Sequence, residues 1–292
     1  MMNLMQQLLL LIGLLYFWSL GHATAVDIEA SDTSVTIIAH RGSGLTPTSG
    51  TKLIGNTFNA IQQGVDHGAN WIEIDIRQSK DGTLMVFHDE TVDRVTNGTG
   101  AFDSFTKAQL QAFELNVAPI EHIPTLKSVL RKFEARNVRF VIDIKVHGIR
   151  QQLEPLLAQH IDKQNVMLFG KYSILKEYID SPYPLGYTAL YSEGSNRYRF
   201  WLGHDFLLKR CITLGADTLV LPPIFLKQSL IKSAKEEGLT VWSYGNNAPS
   251  AWNHAISNGV TGLIVDDVAL TVEQLSSESG ANKEPQPNAV IL

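Results

Sequence analysis

Cysteine is all but missing from this sequence: Cys211 stands alone among 292 residues, so no internal disulfide can staple the fold. No basic run occurs, and a formal net charge of -5 offers little to a polyanion. Nucleic-acid binding and polybasic membrane adhesion are therefore not expected. HExxH, His-x-His and paired cysteines are also lacking, which removes the usual zinc centres. No apolar run reaches the ~20 residues of a comfortable membrane span. With 44% hydrophobic and 18% charged residues, the chain has the balance of an ordinary globular protein and enough length for one full core.

The two ends differ from what lies between them. Leu8 to Leu20 is a nearly unbroken apolar run, followed by His22-Ala23-Thr24-Ala25, a small-x-small cleavage signature. Residues 1–25 read as a signal peptide, although Met1 to Gln7 carries no Lys or Arg. The expected location is periplasmic or secreted, with no stable membrane insertion after cleavage. From Ser276 to 292 the chain is polar, with Pro and Gly, and reads as a disordered tail. Residues 26–275 are left as one domain.

Within that domain the stretch from Trp71 to Asp89, WIEIDIRQSKDGTLMVFHD, organises the rest. It reads as a strand, a Lys-Asp-Gly turn and a second strand. Ile72, Ile74 and Ile76 alternate with Glu73, Asp75 and Arg77, so Glu73 and Asp75 share one face, roughly 7 Å apart along the chain. Two carboxylates that close, on a strand built for burial, call for a cation between them.

Other apolar strands follow the same logic. Val35 to His40 precedes the pair, Arg139 to Val146 follows it, and further strands fall at 166–170, 184–190, 218–223, 239–244 and 262–267. Helical patterns separate them: one opening at Asn56-Thr57, then Ser104 to Phe113, Thr125 to Arg136, Leu226 to Glu237 and Ala248 to Asn258. Eight β-branched strands joined by mostly helical connections predict a parallel sheet closed as a (β/α)₈ TIM barrel, with residues 83–124 as an insertion.

In that architecture chemistry sits at the carboxyl ends of the strands. His40-Arg41, Glu73-x-Asp75, His88 and Asp143-x-Lys145 all fall there. Each alone reads more simply as core packing or a structural ion pair; their co-occurrence on successive strands is the signal. Three carboxylates make an oxygen-only site, suited to a hard divalent cation, Mg²⁺ or Ca²⁺. Arg41 and Lys145 add fixed positive charge for a phosphoryl oxygen, and His40 and His88 can act as base and acid. That equipment fits cleavage of a small-molecule phosphodiester.

The same residues carry a resemblance. The HRG at His40 to Gly42, the Asn56-Thr57 pair, the E-x-D-I with K-D-G and F-H-D that runs to Asp89, then D-R-x-T-N-G-x-G, I-P-T-L, I-D-I-K, G-L-x-V-W-S and G-V-x-G-L-I-V-D occur in order. This resembles the glycerophosphodiester phosphodiesterase family. The resemblance implies a barrel with a small insertion, a divalent metal, and release of sn-glycerol 3-phosphate from glycerophosphodiesters. It places the catalytic pair on His40 and His88, and the metal ligands on Glu73, Asp75 and Asp143. Arg41, Lys145 and Trp242 become substrate-binding residues. Two positions depart from the family's pattern: Gly55 stands where a glutamate is usual, and Asp143 is one methylene shorter than the usual glutamate. Asp89 or Glu90 is the expected substitute acid. Two other readings keep the same site: a phosphodiesterase for lysophospholipid or sphingolipid head groups, and a non-catalytic barrel that binds metal or phosphodiester.

Overall fold

The computed structural model describes residues 35–43, 53–117, 119–189, 205–245 and 247–281. The expected signal peptide, most of the loop at 43–55, the segment 192–204 and the tail beyond Ala281 lie outside them. The strands are β1 (Thr36–Ala39), β2 (Trp71–Gln78), β3 (Leu84–Val86), β4 (Phe140–Ile144), β5 (Val166–Gly170), β6 (Leu185–Thr188), β7 (Thr218–Leu221), β8 (Thr240–Tyr244) and β9 (Gly262–Val265). All but β3 are parallel, and β1 pairs with both β2 and β9, which closes the barrel. β3 runs antiparallel to β2, with Val86 opposite Ile76. The (β/α)₈ expectation holds.

Closure turns a two-residue period into two buried layers. Ile72, Ile74 and Ile76 join Ile142, Ile144 and Leu168 in the core between strands and helices. Each such side chain stabilises the fold by about 1.5–3 kcal/mol. The intervening positions face the barrel axis, where Trp71, Val141, Phe169, Val220, Trp242 and Ile264 pack together. Glu73 and Asp75 share that inward face with Trp71.

Glycine makes room for those rings. A Cβ on Gly262 would lie 2.4 Å from Cδ1 of Trp242. Held between Trp71 and Phe169, the indole has little space to yield. Gly262→Ala is expected to destabilise by about 1–3 kcal/mol through overpacking. The check is a lower urea midpoint at unchanged slope; an unchanged midpoint would show that the ring moves freely.

Side-chain caps set the helix starts. Thr57 accepts from Ala60 N (3.1 Å) to open the helix Phe58–Asp66, and Thr125 accepts from Ser128 N (3.1 Å) to open Leu126–Phe133. In the insertion, a capping box between Thr106 and Gln109 starts the helix at Lys107. Ser104 consequently ends a separate 3₁₀ turn, Phe102–Ser104, instead of beginning the helix. The insertion has its own small core of Phe87, Val92, Val95, Phe102, Leu110 and Leu115. The final helix, Val268–Ala281, runs past Ser276, where disorder was expected to begin. Asp267 caps it through Leu270 N (3.0 Å) and Val268 and Thr271 are buried, so polar residues simply continue a well-anchored helix. Among the described residues, no helix is long and apolar enough to cross a membrane.

Candidate active site

The chain turns sharply as it leaves β1. His40–Gly42 form a 3₁₀ turn, and Arg41, Gly42 and the following Ser43 have φ of 52°, 82° and 72°. The left-handed conformation costs a non-glycine residue roughly 1–2 kcal/mol. Gly42 is needed for a further reason: a Cβ there would lie 2.6 Å from Ile61 N. The turn is secured from β2, because Arg41 N donates to Glu73 Oε2 (2.7 Å).

Neighbouring strands bring the acids together. Asp75 and Asp143 are register partners on β2 and β4, and one carboxylate oxygen from each of Glu73, Asp75 and Asp143 lies within 4.8 Å of the others. Asp75 is 1% exposed and surrounded by donors. Asn56 Nδ2 donates to its Oδ2 (2.7 Å), while Asp75 N donates back to Asn56 Oδ1 (3.0 Å). Lys145 Nζ bridges Asp75 Oδ1 (2.9 Å) and Asp143 Oδ2 (2.5 Å). Arg41 Nε approaches Asp75 Oδ2 at 3.3 Å without hydrogen-bonding geometry.

These contacts divide the charge unevenly. Burial opposes ionisation of Asp75, but Lys145 and Arg41 outweigh it and hold its carboxyl far below the usual range. Lys145 is likewise opposed by burial and held above its usual range by Asp143, Asp75 and Glu73. Glu73 fares differently. Its burial, with repulsion from Asp75 and Asp143, pushes its carboxyl well above the usual range despite both cations. Three acids thus face two cations, and the third acid lacks a positive partner.

Both histidines are oriented by aspartates. His40 Nδ1 meets Asp266 Oδ1 at 2.5 Å, and Asn247 Nδ2 donates to Asp266 Oδ2 (2.7 Å). His88 Nδ1 meets Asp89 Oδ1 at 2.7 Å, and Arg94 Nε donates to Asp89 Oδ2 (2.7 Å). Burial lowers the pKa of His40; the Asp266 bond resists this and Arg41 reinforces it. His88 is more open, with its side chain 36% exposed.

The structure therefore brings His40, Arg41, Glu73, Asp75, Asp143 and Lys145 into one network, with His88 across the cleft shared by Arg41, Asn56 and Asp89. Trp242 is placed differently from the expectation. It packs in the barrel interior, 5% exposed, so its ring supports the floor more than it lines the mouth. Tyr244, the next inward position on β8, is partly exposed and donates its hydroxyl to Ala189 O (3.0 Å). The substitute acid does not materialise either: Asp89 is taken by His88 and Arg94, and Glu90 is exposed. Asp266, Asn247 and Arg94 were not singled out from sequence. A strand-end acid in GLIVDD marks Asp266 by the same logic that marks Asp75, whereas nothing local marks Asn247.

A divalent cation fits this donor set. Glu73, Asp75 and Asp143 offer hard oxygen ligands, and an added positive charge would relieve the imbalance at Glu73.

The chain matches the Glycerophosphoryl diester phosphodiesterase family over residues 40–179. A curated relative, a glycerophosphodiester phosphodiesterase of Caldanaerobacter subterraneus subsp. tengcongensis, is 26% identical over 245 residues, covering 79% of this chain and 93% of the relative. Among solved structures, a glycerophosphodiester phosphodiesterase of Thermotoga maritima aligns with TM-score 0.65 at 23% identity, covering 82% of this chain and 97% of that one. A phosphodiesterase of Oleispira antarctica in complex with the product sn-glycerol-3-phosphate aligns with TM-score 0.68 at 19% identity, covering 82% and 96%. By its motifs, its barrel and this match, the chain is similar to the glycerophosphoryl diester phosphodiesterase family.

Proposed function

We propose that this chain hydrolyses glycerophosphodiesters to sn-glycerol 3-phosphate and an alcohol, with a divalent cation as cofactor. One observation carries the reading: three carboxylates, two fixed cations and an aspartate-held histidine meet at the ends of adjacent strands, facing a second aspartate-held histidine. Held by Glu73, Asp75 and Asp143, Mg²⁺ or Ca²⁺ would supply Lewis-acid polarisation of a phosphoryl oxygen. Arg41 and Lys145 add positive charge where charge builds up as phosphorus becomes five-coordinate.

His40, kept neutral by burial, takes the proton from the attacking water. As the phosphorus–oxygen bond to the alcohol breaks, His88 donates a proton to the leaving alkoxide.

The test is release of sn-glycerol 3-phosphate from glycerophosphocholine by metal-stripped protein resupplied with Mg²⁺ or Ca²⁺. No rate above buffer with either ion would leave a binding barrel. A cyclic phosphate product would point to an internal hydroxyl as nucleophile, as with lysophospholipid or sphingolipid head groups. In the same assay the acid limb of kcat/KM is expected below pH 6.5. Protonation silences a base as pH falls, and the lowered pKa of His40 moves that loss to more acidic pH. An acid limb above pH 6.5 would reject His40 as the base. The apolar segment before Ala25 supports export, and N-terminal sequencing of the exported protein tests cleavage there.

A further inference from the structure

The two histidines are held alike in their first contact and unlike in their second. In each, Nδ1 is paired with an aspartate, which leaves Nε2 as the ring nitrogen free for proton transfer. Asp266 follows directly on β9, is 2% exposed, and has its outer oxygen held by the neutral amide of Asn247. Asp89 lies outside any strand, is partly exposed, and has its outer oxygen held by the cation of Arg94.

Arg94 does not come from the barrel. It lies in the insertion between Thr91 and Ala101, which pair as an isolated antiparallel bridge. Val92 and Val95 on either side of it are buried in the insertion's own core, so its backbone is anchored while its side chain stays 43% exposed. From β2, Arg77 Nε donates to His88 O (2.8 Å) and fixes the backbone of the same histidine. The carbonyl is thus tied to the barrel, whereas the ring is tied to the insertion.

We propose that Arg94 is a positioning residue for His88, acting through Asp89, and that the insertion serves the reaction by presenting it. Arg94 holds Asp89 in the rotamer that fixes the His88 ring through its Nδ1. The other charged groups around His88 are Asp75 and Arg77 from β2, Arg41 from the turn after β1, and Glu90 beside Asp89. None of them replaces Arg94 at Asp89 Oδ2.

This inference rests on the hydrolytic reading above, but its test does not depend on that reading alone. The readouts are kcat and KM for glycerophosphocholine, and the hydrogen bond of His88 Nδ1 to Asp89 followed by nitrogen-15 NMR, in wild type, Arg94→Ala and Arg94→Lys. Arg94→Ala is expected to lower kcat about tenfold or more with KM changed less than about twofold, as is usual for lost orienting partners. The nitrogen-15 signature of the bonded Nδ1 should be lost in that variant, and Arg94→Lys, which keeps the charge but not the planar fork, should restore it in part. A drop confined to KM would make Arg94 a substrate contact and overturn the proposal. An unchanged Nδ1 signature in Arg94→Ala would also overturn it. If wild type releases no product, the hydrolytic reading fails while the Nδ1 signature still decides whether Arg94 positions His88. The Arg94 side chain is 43% exposed, so its truncation leaves no core cavity; should Arg94→Ala nevertheless unfold, Arg94→Lys decides, with a weakened Nδ1 signature and lowered kcat supporting the positioning role and a wild-type signature at altered kcat refuting it.

Discussion

His88→Ala is expected to lower kcat by about 10² to 10⁴-fold while leaving the thermal midpoint close to wild type. The predicted loss follows from removal of the imidazole that lines the cleft beside Arg41 and Asn56. The predicted stability follows from its surroundings. His88 lies beyond the end of β3, its side chain is 36% exposed, and Asp89 keeps its ion pair with Arg94 when the ring is gone. Truncation therefore leaves neither a cavity nor an unpaired buried charge, the two usual sources of large destabilisation. His40→Ala lacks this clarity, because Asp266 would be left buried with Asn247 as its named partner. Kinetics and calorimetry on His88→Ala should show kcat and kcat/KM falling together, the signature of an interaction made only in the transition state. A kcat within about tenfold of wild type would remove His88 from the proton-transfer scheme.

Much of this site could be read from one dimension because a barrel strand has two buried faces. Along β2 the isoleucines mark the helix side, so any acid between them points toward the axis, and strand ends carry it toward the mouth. The same rule located Asp143 and Lys145. It did not locate the partners that join across the closure of the barrel. His40 and Asp266 are 226 residues apart and meet only because β1 pairs with β9. Asp89 was weighed as a metal ligand because an acid beside a histidine carries no mark of which way it faces; in the structure it turns to the ring. Trp242 shows a related limit. Periodicity gives its face but not its depth, and one layer separates a floor residue from a wall residue. Asn56 was legible as a helix start, yet its buried clamp on Asp75 depends on a φ of 66° that no local pattern announces.

Glu73→Gln should produce two opposite effects, and together they test the metal site. In metal-free protein near neutral pH the substitution is expected to raise the thermal midpoint. Glu73 is 4% exposed, and burial with repulsion from Asp75 and Asp143 raises its folded-state pKa above the unfolded value of about 4.3. Between those two values the folded state binds the extra proton. Metal-free stability must therefore fall as pH rises through that window, and ionised Glu73 weighs against folding above it. Glutamine mimics the protonated form and can still accept from Arg41 N, so both the penalty and its pH slope should disappear. With Mg²⁺ or Ca²⁺ the order reverses. Ion at a hundred times its dissociation constant stabilises wild type by about 2.7 kcal/mol, whereas the variant, short of one carboxylate, gains little. Activity should fall about 10³-fold or more, since several kcal/mol of transition-state charge stabilisation depend on that ion. The two halves cannot be explained by one generic defect, because a misfolded variant would not be more stable without metal. A variant that is less stable than wild type when stripped, yet gains as much from Ca²⁺, would show that these carboxylates bind Lys145 and Arg41 for structure alone.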